Sequence, residues 1–267
     1  MFEHPTLDKL AALKLTGMVE ALQEQRQMGA YDELSFEERL GMLVDREATR
    51  RQNRLTVGRL KRAALRQEAC VEDINFRYER SLDRSQMLSL ATCQWVRNRR
   101  NCLITGPTGV GKSYIACALA QKAIREGCTA RYERLSRLLA DLVTARHDGT
   151  YYSKLGVLAQ TDLLILDDWG VTPLTDDNRR DLLELFDDRY NRRSTLVTSQ
   201  IPVKQWHEYI ANPTLADAIL DRLVHNAHQV ALTGPSIRGN EANLIIAEEQ
   251  VNHNVTIKPG GSHASKS

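Results

Sequence analysis

Residues 106–113 read GPTGVGKS, and no other feature of the chain limits its fold as strongly. They match the pattern GxxxxGK[ST], in which a glycine-rich loop wraps phosphate groups with its backbone N–H groups. The short apolar run 101–105 precedes the loop, and the helix-like run 114–127 follows it. A strand, a phosphate loop and a helix in this order predict an α/β domain that binds a nucleotide at the helix N-terminus.

The side chains of this loop have separate tasks in binding ATP. Its glycines allow the backbone to approach the phosphates closely, and the helix dipole favours the anion. Lys112 can reach the outer phosphates, and the Ser113 hydroxyl can be a ligand of Mg²⁺. We therefore expect ATP and Mg²⁺ as cofactors. The predicted nucleotide-binding residues are Gly106, Pro107, Thr108, Gly109, Val110, Gly111, Lys112 and Ser113.

Two adjacent carboxylates supply the second half of the predicted site. Asp167 and Asp168 follow the apolar residues 163–166, and open α/β sheets bind their ligands at the carboxyl ends of strands. Asp167 suits the role of metal ligand, and Asp168 suits that of the catalytic group that polarises the attacking water. The alternative is that the pair only caps the following helix.

Short apolar runs alternate with helical patterns from about residue 73 to residue 248. This alternation is typical of a doubly wound sheet, so the predicted fold class is α/β, with a central parallel sheet. The predicted strands lie in residues 101–106, 128–135, 161–168, 194–200 and 229–234. Residues 249–267 lack apolar periodicity, and we expect a disordered tail there.

Residues 1–72 are predicted to form a small all-helical domain that binds DNA or a partner. Apolar residues from Leu7 to Leu22 recur at helical spacing and predict one amphipathic helix. Ser35 and Glu38, three residues apart, form a capping-box signature that opens a second, longer helix.

One helical stretch, residues 46–66, carries eight cations and the single acid Glu47, whereas the whole chain has a formal charge of +2. A solvated helix face would explain such a run. Contact with a nucleic-acid backbone would explain it too, because that backbone requires repeated cations. The residues alone are compatible with both interpretations. The predicted DNA contacts in this stretch are Arg50, Arg51 and Arg54.

The composition excludes several classes of protein. With 42% hydrophobic and 26% charged residues, the chain is neither collagen-like nor wholly disordered. It has no apolar run of about 18 residues and no signal-peptide core, so we expect a cytoplasmic protein without a membrane partner. Its five cysteines lack CxxC spacing, which argues against a zinc site or a disulfide framework.

Polar residues at the end of the fourth predicted strand are further candidates. Thr198, Ser199 and Gln200 would lie beside the two acids, where one of them could contact the terminal phosphate or orient water. Simple capping of the strand end is the alternative. Arg222 lies in a predicted helix. It is either a surface charge or an arginine that reaches a neighbouring subunit's nucleotide, and the motif favours neither.

Several segments together resemble a known family. The AAA+ ATPases of the helicase-loader clade have segments similar to GPTGVGKS, LLILDDWG, LVTSQIPVKQWHE, LADAILDRLVHNA and GPSIR. The best match is the IstB type, the helper ATPases encoded beside the transposases of certain insertion sequences. The resemblance covers about residues 1–248. It implies an AAA+ P-loop core with an inserted helix after the second strand, together with a small helical N-terminal domain.

The resemblance also implies a function. Such proteins assemble with ATP into rings or spirals of identical subunits on duplex DNA, and then recruit and stimulate a partner transposase. It implies that Ser199 or Gln200 is the first sensor, Arg222 the arginine finger and Arg238 a possible second sensor. Asp168 stands where many AAA+ proteins have Glu, so we expect slow or partner-dependent hydrolysis.

The inserted helix of the clade implies a second DNA surface within residues 131–160. Arg146 and Lys154 lie on either side of Tyr151 and could bind phosphates while the ring packs on sugars. The alternative is that the tyrosines of this segment are half-buried packing residues.

Three functions are compatible with these observations. The first is an ATPase that manages a transposase, the second a DnaC-like loader of a replicative helicase, and the third a small-molecule kinase. The kinase lacks support, because no arginine-rich lid is visible in the sequence. The arginine-rich stretch 46–66 favours direct DNA binding by the N-terminal region, and therefore the first function over the second.

Overall fold

The computed structural model describes residues 4–28, 31, 33–78 and 80–237. The chain divides into two compact units, Met1–Arg62 and Ala63–Ser267, which we name the helical unit and the sheet unit. We predicted the boundary near residue 72, and the compact helical unit ends earlier, at Arg62.

The helical unit begins with two short helices rather than the single predicted one. Its helices are α1 Pro5–Ala12, α2 Thr16–Gln27 and α3 Phe36–Ala63, the last of which ends just beyond the boundary. The predicted helix from Leu7 to Leu22 is broken at Lys14, whose φ of 58° is left-handed and cannot continue a right-handed helix. The capping box before α3 is confirmed. The Glu38 N–H donates to Ser35 Oγ over 3.3 Å, and the Ser35 N–H donates to Glu38 Oε2 over 2.9 Å.

Gly17 allows α2 to pack directly against α3. Its N–H donates to Glu47 Oε2 over 2.7 Å, and a Cβ atom at Gly17 would lie only 2.8 Å from the Glu47 Cα. Two ion pairs also join the helices, Arg46 with Glu24 and Arg50 with Glu20. The absence of a side chain at this position is therefore a steric requirement of the packing.

The described part of the sheet unit contains five parallel strands in the order β2-β3-β4-β1-β5. They are β1 Cys102–Thr105, β2 Ala130–Arg134, β3 Leu163–Trp169, β4 Ser194–Ser199 and β5 His228–Ala231. Each coincides with a predicted strand to within a few residues, and the predicted α/β class with a central parallel sheet is confirmed. Because all strands are parallel, their carboxyl ends meet at one edge of the sheet.

Helices pack around this sheet. They are α4 Arg84–Ala91, α5 Gln94–Arg97, α6 Lys112–Arg125, α7 Leu135–His147, α8 Tyr151–Gln160, α9 Asp176–Arg189, α10 Trp206–Ile210 and α11 Pro213–Val224. Strand β4 is buried at every residue, as a strand covered on both faces must be. In the sequence, helices α7 and α8 lie between β2 and β3, which is where the family resemblance implies an inserted helix. In the described part of the chain, no helix is both long enough and apolar enough to span a bilayer.

An aromatic cluster anchors the end of β3. Trp169 and Trp206 are fully buried, and their ring centroids lie 5.3 Å apart. The Phe186 ring of α9 lies 6.2 Å from Trp169. Trp169 is the last residue of β3 and directly follows Asp167 and Asp168. The cluster therefore fixes the strand end from which the two predicted site acids project.

The close packing at Gly17 predicts a large penalty for even a methyl group. We expect Gly17→Ala to lower the free energy of unfolding by about 1–3 kcal/mol, because the added Cβ overlaps the α3 backbone. Denaturant unfolding of the full chain, with hydrogen exchange of the α2 amides, measures the effect.

Gly41→Ala is the matched control. Gly41 lies within α3, and a Cβ atom there would have no neighbour within 4 Å. Alanine should therefore raise the free energy of unfolding by about 0.5–1 kcal/mol through its higher helix propensity. Equal effects of the two substitutions would contradict the packing argument.

Candidate nucleotide site

The phosphate loop joins the end of β1 to the start of α6. Its glycines meet a conformational and a steric requirement at once. Gly109 has a φ of 87°, and a Cβ atom there would lie 2.0 Å from Ser236 Oγ. A Cβ atom at Gly106 would lie 2.4 Å from the Leu232 carbonyl oxygen. The loop therefore has the backbone that a phosphate cradle needs, and the segment after β5 packs against it.

Lys112 is the first residue of α6 and is buried against the loop. Its Nζ donates to the carbonyl oxygens of Gly106 and Pro107, each over 2.7 Å. These contacts hold the ammonium group beside the N-terminus of α6, where phosphate oxygens would compete for its donors. The predicted role of Lys112 is geometrically available.

Asp167 is the most connected acid of the site. Its fully buried carboxylate accepts hydrogen bonds from the hydroxyls of Ser113, Tyr132 and Thr198, of which the Ser113 bond measures 2.9 Å. The Arg66 guanidinium forms an ion pair with it over 3.2 Å. One side chain thus connects the phosphate-loop helix α6 to β2 and β4 and to the segment after α3.

These contacts keep Asp167 ionised. Burial alone would raise its pKa, but the hydroxyls of Thr198, Tyr132 and Ser113 and the charge of Arg66 hold the pKa below its ordinary value. Burial and the hydrogen bond to Asp167 raise the pKa of Tyr132, so the phenol is a neutral donor.

The Ser113 hydroxyl and the Asp167 carboxylate could hold Mg²⁺. Both are oxygen donors, which this cation prefers, and it commonly takes one or two protein ligands together with substrate phosphates. Across the described residues, no group of three or more His, Cys, Asp or Glu side chains is arranged as a metal site. A cation at this pair would therefore complete its coordination with phosphate oxygens and water.

Asp168 adopts a strained backbone that turns its side chain toward the cavity. Its φ is 64°, in the left-handed region, and the β3–β4 pairing shifts register between Leu166 and Trp169. Its N–H donates to Thr198 Oγ1 over 3.3 Å, and its carboxylate pairs with Arg134 Nε over 3.0 Å. The two adjacent acids thus point to different surroundings, one sealed and one reachable by solvent.

The end of β4 directs alternate side chains to the site. Thr198 contacts Asp167, and Gln200 Oε1 accepts a hydrogen bond from Thr108 of the phosphate loop over 2.8 Å. Ser199, which we named as a sensor, faces away from the site, because side chains alternate along a strand. Its hydroxyl is buried and donates to the Trp169 carbonyl oxygen over 2.8 Å. Gln200, the alternative first sensor, is the residue that contacts the loop.

A cavity of about 540 Å³ adjoins these groups. The predicted residues Thr108, Gly109, Gly111, Lys112, Ser113, Asp168 and Gln200 line it. The cavity is also lined by eight residues that no motif predicted, namely Arg66, Gln67, Asp73, Asn75, Tyr78, Arg80, Tyr114 and Ile237. Most of these belong to the segment 66–80, which has neither helical nor strand periodicity. Its only sequence signal is a group of Asn, Tyr and Arg residues at 75–80.

Arg222 is remote from the phosphate loop of its own chain. Its carbonyl oxygen accepts from Asn101 Nδ2 over 2.9 Å, and Asn101 precedes β1, whereas the loop follows the other end of that strand. The Arg222 guanidinium forms an ion pair with Asp187. The second predicted sensor, Arg238, and the predicted tail 249–267 lie outside the described residues.

The predicted DNA contacts of the sheet unit are engaged in internal contacts. Tyr151 is buried, and its hydroxyl donates to Asp181 Oδ1 over 2.7 Å. Arg146 pairs with the same carboxylate and lies 4.5 Å from the centre of the Tyr151 ring. Lys154 Nζ lies 3.4 Å from an Asp141 carboxylate oxygen. Tyr152, 78% exposed, is the tyrosine of this pair that faces solvent.

The predicted DNA contacts of the helical unit are exposed but partly paired. Arg50 pairs with Glu20 over 2.5 Å, and Arg51 pairs with Glu47 over 2.7 Å. Arg54 makes no ion pair with a carboxylate of the described residues. The acids of α2 therefore balance part of the positive charge of α3, which the count of charges within residues 46–66 could not include.

Comparisons with known proteins identify the family of the chain. A family model described as IstB-like ATP binding protein matches residues 8–244. The insertion sequence ATP-binding protein y4pL of Sinorhizobium fredii (strain NBRC 101917 / NGR234) is 50% identical over 241 residues, which cover 90% of this chain and 98% of y4pL. The insertion sequence IS21 ATP-binding protein of Pseudomonas aeruginosa is 33% identical over 235 residues, which cover 88% of each chain.

Two solved structures have a similar fold. The crystal structure of DnaI aligns with a TM-score of 0.54 at 20% identity, covering 63% of this chain and 90% of DnaI. The crystal structure of the DnaC helicase loader aligns with a TM-score of 0.50 at 18% identity, covering 61% of this chain and 96% of the loader. Likeness at this level of identity concerns the fold alone, and it confirms the predicted AAA+ P-loop core.

The hydrogen bond from Thr198 to Asp167 predicts a pH-dependent effect on stability. Thr198→Val removes one donor and lets the Asp167 pKa rise toward its ordinary value. We expect the free energy of unfolding to fall by about 1.5–3 kcal/mol at pH 7, because the bond has a charged acceptor. The loss should shrink as the pH falls below about 4, where Asp167 becomes protonated in the unfolded chain.

Denaturant unfolding at a series of pH values measures this difference. Thr144→Val is the matched control, because its hydroxyl donates to the Ala140 carbonyl oxygen on an exposed part of α7. The control should change stability little at every pH. A loss in Thr198→Val that is the same at pH 3 and pH 7 would contradict the role of the charged acceptor.

Proposed function

Because the chain belongs to the family of IstB-like ATP binding proteins, we propose that it is a Mg²⁺-dependent ATPase that assembles on duplex DNA and recruits a partner transposase. One observation carries the ATPase part of the proposal. The Ser113 hydroxyl of the phosphate-loop helix donates to Asp167 at the end of β3 over 2.9 Å. A hydroxyl and an ionised carboxylate at this distance, beside a phosphate loop, are the protein ligands that Mg·ATP needs.

Binding of ATP would rearrange contacts that already exist. Phosphate oxygens would replace the carbonyl groups of Gly106 and Pro107 as acceptors for Lys112. Ser113 and Asp167 would hold Mg²⁺, which neutralises charge on the β- and γ-phosphates when bound. Gln200 contacts Thr108 of the loop and is therefore suited to respond to the outer phosphate.

Hydrolysis would use Asp168 as the proton acceptor. The water oxygen attacks the γ-phosphorus, its proton passes to the Asp168 carboxylate, and the bond to the bridging oxygen of ADP breaks. Arg134 holds that carboxylate through an ion pair, and the positive φ of Asp168 sets the direction of the side chain. Aspartate is shorter than glutamate, so we expect slow turnover that a correctly seated partner accelerates.

Assembly would bring Arg222 to a neighbouring nucleotide. Arg222 adjoins the amino end of β1, opposite the edge that holds the phosphate loop, so it cannot serve the site of its own chain. In a ring or spiral of identical subunits, this position can lie against the next subunit's loop. The ion pair with Asp187 would have to open for the guanidinium to act as an arginine finger.

DNA binding would depend mainly on α3. Arg54, Arg59, Lys61 and Arg62 form no ion pair with the described carboxylates, and the Arg50–Glu20 pair is exposed on both sides. Exposed pairs are weak, so DNA phosphates can compete for the Arg50 guanidinium. Arg51 is itself exposed, but its partner Glu47 is buried, so its pair is the harder of the two to exchange for a phosphate. The pairing of Arg146 and Lys154 within the sheet unit supports only a secondary contribution from that surface.

The identity of the partner rests on the relatives. Proteins that are 50% and 33% identical to this chain are named as ATP-binding proteins of insertion sequences. That supports a transposase as the partner. The similarity to DnaI and to the DnaC helicase loader supports the fold and not the helicase-loading function.

The proposed chemistry predicts that binding and hydrolysis separate in two variants. Lys112→Ala should weaken ATP binding by about 10- to 100-fold, because it removes a charged donor to the phosphates. Asp168→Asn should still bind ATP but turn over about 10²- to 10⁴-fold more slowly, because an amide cannot accept the proton. Calorimetric titration with ATP and a phosphate-release assay measure the two quantities.

Asp177→Asn is the matched control, because Asp177 lies at the exposed start of α9. It should leave both quantities unchanged. Parent-like turnover by Asp168→Asn would overturn the assignment of the proton acceptor. Undiminished ATP affinity in Lys112→Ala would overturn the assignment of Lys112 as the cation that binds the phosphates.

The proposed DNA surface predicts a change in salt dependence. In the triple variant Arg50→Gln, Arg51→Gln and Arg54→Gln, we expect the slope of log affinity against log salt to decrease by about 0.9 per lost phosphate contact. Fluorescence anisotropy with duplexes of two unrelated sequences measures the slope, and the sequences should behave alike.

The matched control neutralises three exposed arginines of the sheet unit, Arg97, Arg125 and Arg180. It removes the same charge and should leave the slope unchanged. If the α3 variant keeps its DNA affinity and slope but no longer captures the purified transposase, the surface is a protein-docking site instead.

A further inference from the structure

Arg80 is a buried cation that touches the phosphate loop. Only 4% of its surface is exposed. Its Nη1 donates to the Val110 carbonyl oxygen over 3.4 Å, and a Cβ atom at Gly111 would lie 2.7 Å from the same nitrogen. The side chain lines the cavity that Lys112 and Ser113 also line. Arg80 is therefore part of the wall of the candidate site, although no sequence motif predicted it.

The charge of Arg80 is not balanced by any carboxylate of the described residues within ion-pair distance. Besides the contact to Val110, Nη2 donates to the Asn75 carbonyl oxygen over 2.9 Å. The buried Nε has no hydrogen-bond partner among the described residues, and a guanidinium has five N–H donors in all. Burial lowers the pKa of Arg80, and the nearby Tyr78 and Tyr114 oppose that shift. A buried charge left in this state is costly unless an anion completes it.

A second buried arginine illustrates the difference. Arg189 is 1% exposed and forms a structural hub between strands and helices. Its three nitrogens all donate, to Thr195 Oγ1 and to the carbonyl oxygens of Leu158, Thr161 and Ser194. A purely structural arginine in this chain thus has every nitrogen engaged. Arg80 does not, and it borders a cavity.

We propose that Arg80 is a nucleotide-binding residue whose guanidinium donates to phosphate oxygens of the bound nucleotide, as a second cation beside Lys112. This inference rests on the proposed ATP-binding function and extends it. Phosphate fits better than the base, because a guanidinium matches the charge and the paired oxygens of a phosphate group. Contact with Gly111 puts Arg80 next to the N-terminus of α6, where an anion binds.

A cation in the segment 66–80 changes what the site selects. With Lys112 alone, the phosphate loop would recognise the outer phosphates. A second charge beside Val110 and Gly111 of the loop adds affinity for the phosphates, so the site would favour ATP and ADP strongly over adenosine. Removing Arg80 should therefore weaken the binding of ATP and ADP far more than the binding of adenosine.

The test uses the full chain and the variant Arg80→Gln, with Arg84→Gln as the matched control. Arg84 is exposed at the start of α4 and stacks on Phe76, outside the cavity. In calorimetric titrations with Mg²⁺, Arg80→Gln should bind ATP and ADP about 10- to 100-fold more weakly than the parent. Arg84→Gln should match the parent. Adenosine, measured by displacement of a fluorescent ATP analogue from the parent and from each variant, should compete equally well.

Thermal unfolding without nucleotide separates a binding role from a structural one. Arg80→Gln should melt within about 4 °C of the parent, because removal of a buried charge that no described carboxylate balances offsets the lost hydrogen bonds. ATP should raise the melting temperature of the parent far more than that of the variant. Arg80→Lys, which keeps the charge and loses the planar fork, should have intermediate affinity.

Three results would overturn the inference. They are parent-like ATP affinity in Arg80→Gln, an equal loss of adenosine and ATP affinity, and a large fall in the melting temperature of both Arg80 variants without nucleotide. Failure of the parent itself to bind ATP would instead refute the proposed function. The two ideas therefore fail separately.

Discussion

The buried carboxylate of Asp167 is the interaction on which the site depends. Three hydroxyl groups and one guanidinium surround it, and they come from the phosphate-loop helix, from β2, from β4 and from the segment after α3. An ionised group in such a place is stable only while its donors stay together. The carboxylate that would bind a cation therefore also holds the surrounding elements together. The geometry of the candidate site and the local fold thus depend on the same contacts.

The neighbouring acid, Asp168, has a different backbone conformation and different surroundings. Asp168 sits in a left-handed backbone at a shift in strand register, and the buried rings of Trp169 and Trp206 anchor the strand directly after it. The strain is local, and the packing of the adjacent Trp169 against Trp206 compensates it. The two adjacent carboxylates consequently differ in exposure and in partners, as the different tasks proposed for them require.

Local chemistry made most of the fold predictable. The phosphate loop, all five strands and the capping box at Ser35 follow from spacing and side-chain type, and the structure agrees. The features that could not be predicted depend on contacts between segments that are distant in the sequence. The phase of β4 decides that Thr198 and not Ser199 faces Asp167. The carboxylate that accepts the hydrogen bond from the Tyr151 hydroxyl belongs to Asp181 of α9, 30 residues away in the sequence. The irregular segment 66–80 has no periodicity to read, yet it forms a wall of the cavity.

Among the described strands, β2 and β5 lie at the edges of the sheet. An edge strand can pair with a strand of another molecule, and in the proposed assembly many copies gathered on one DNA would meet often. Strand β2 carries Arg131 and Glu133, which form an ion pair with each other, and β5 is only four residues long. Charged and short edges resist strand-to-strand fusion. Copies held close together can thus associate through their side chains without their sheets merging into aggregates.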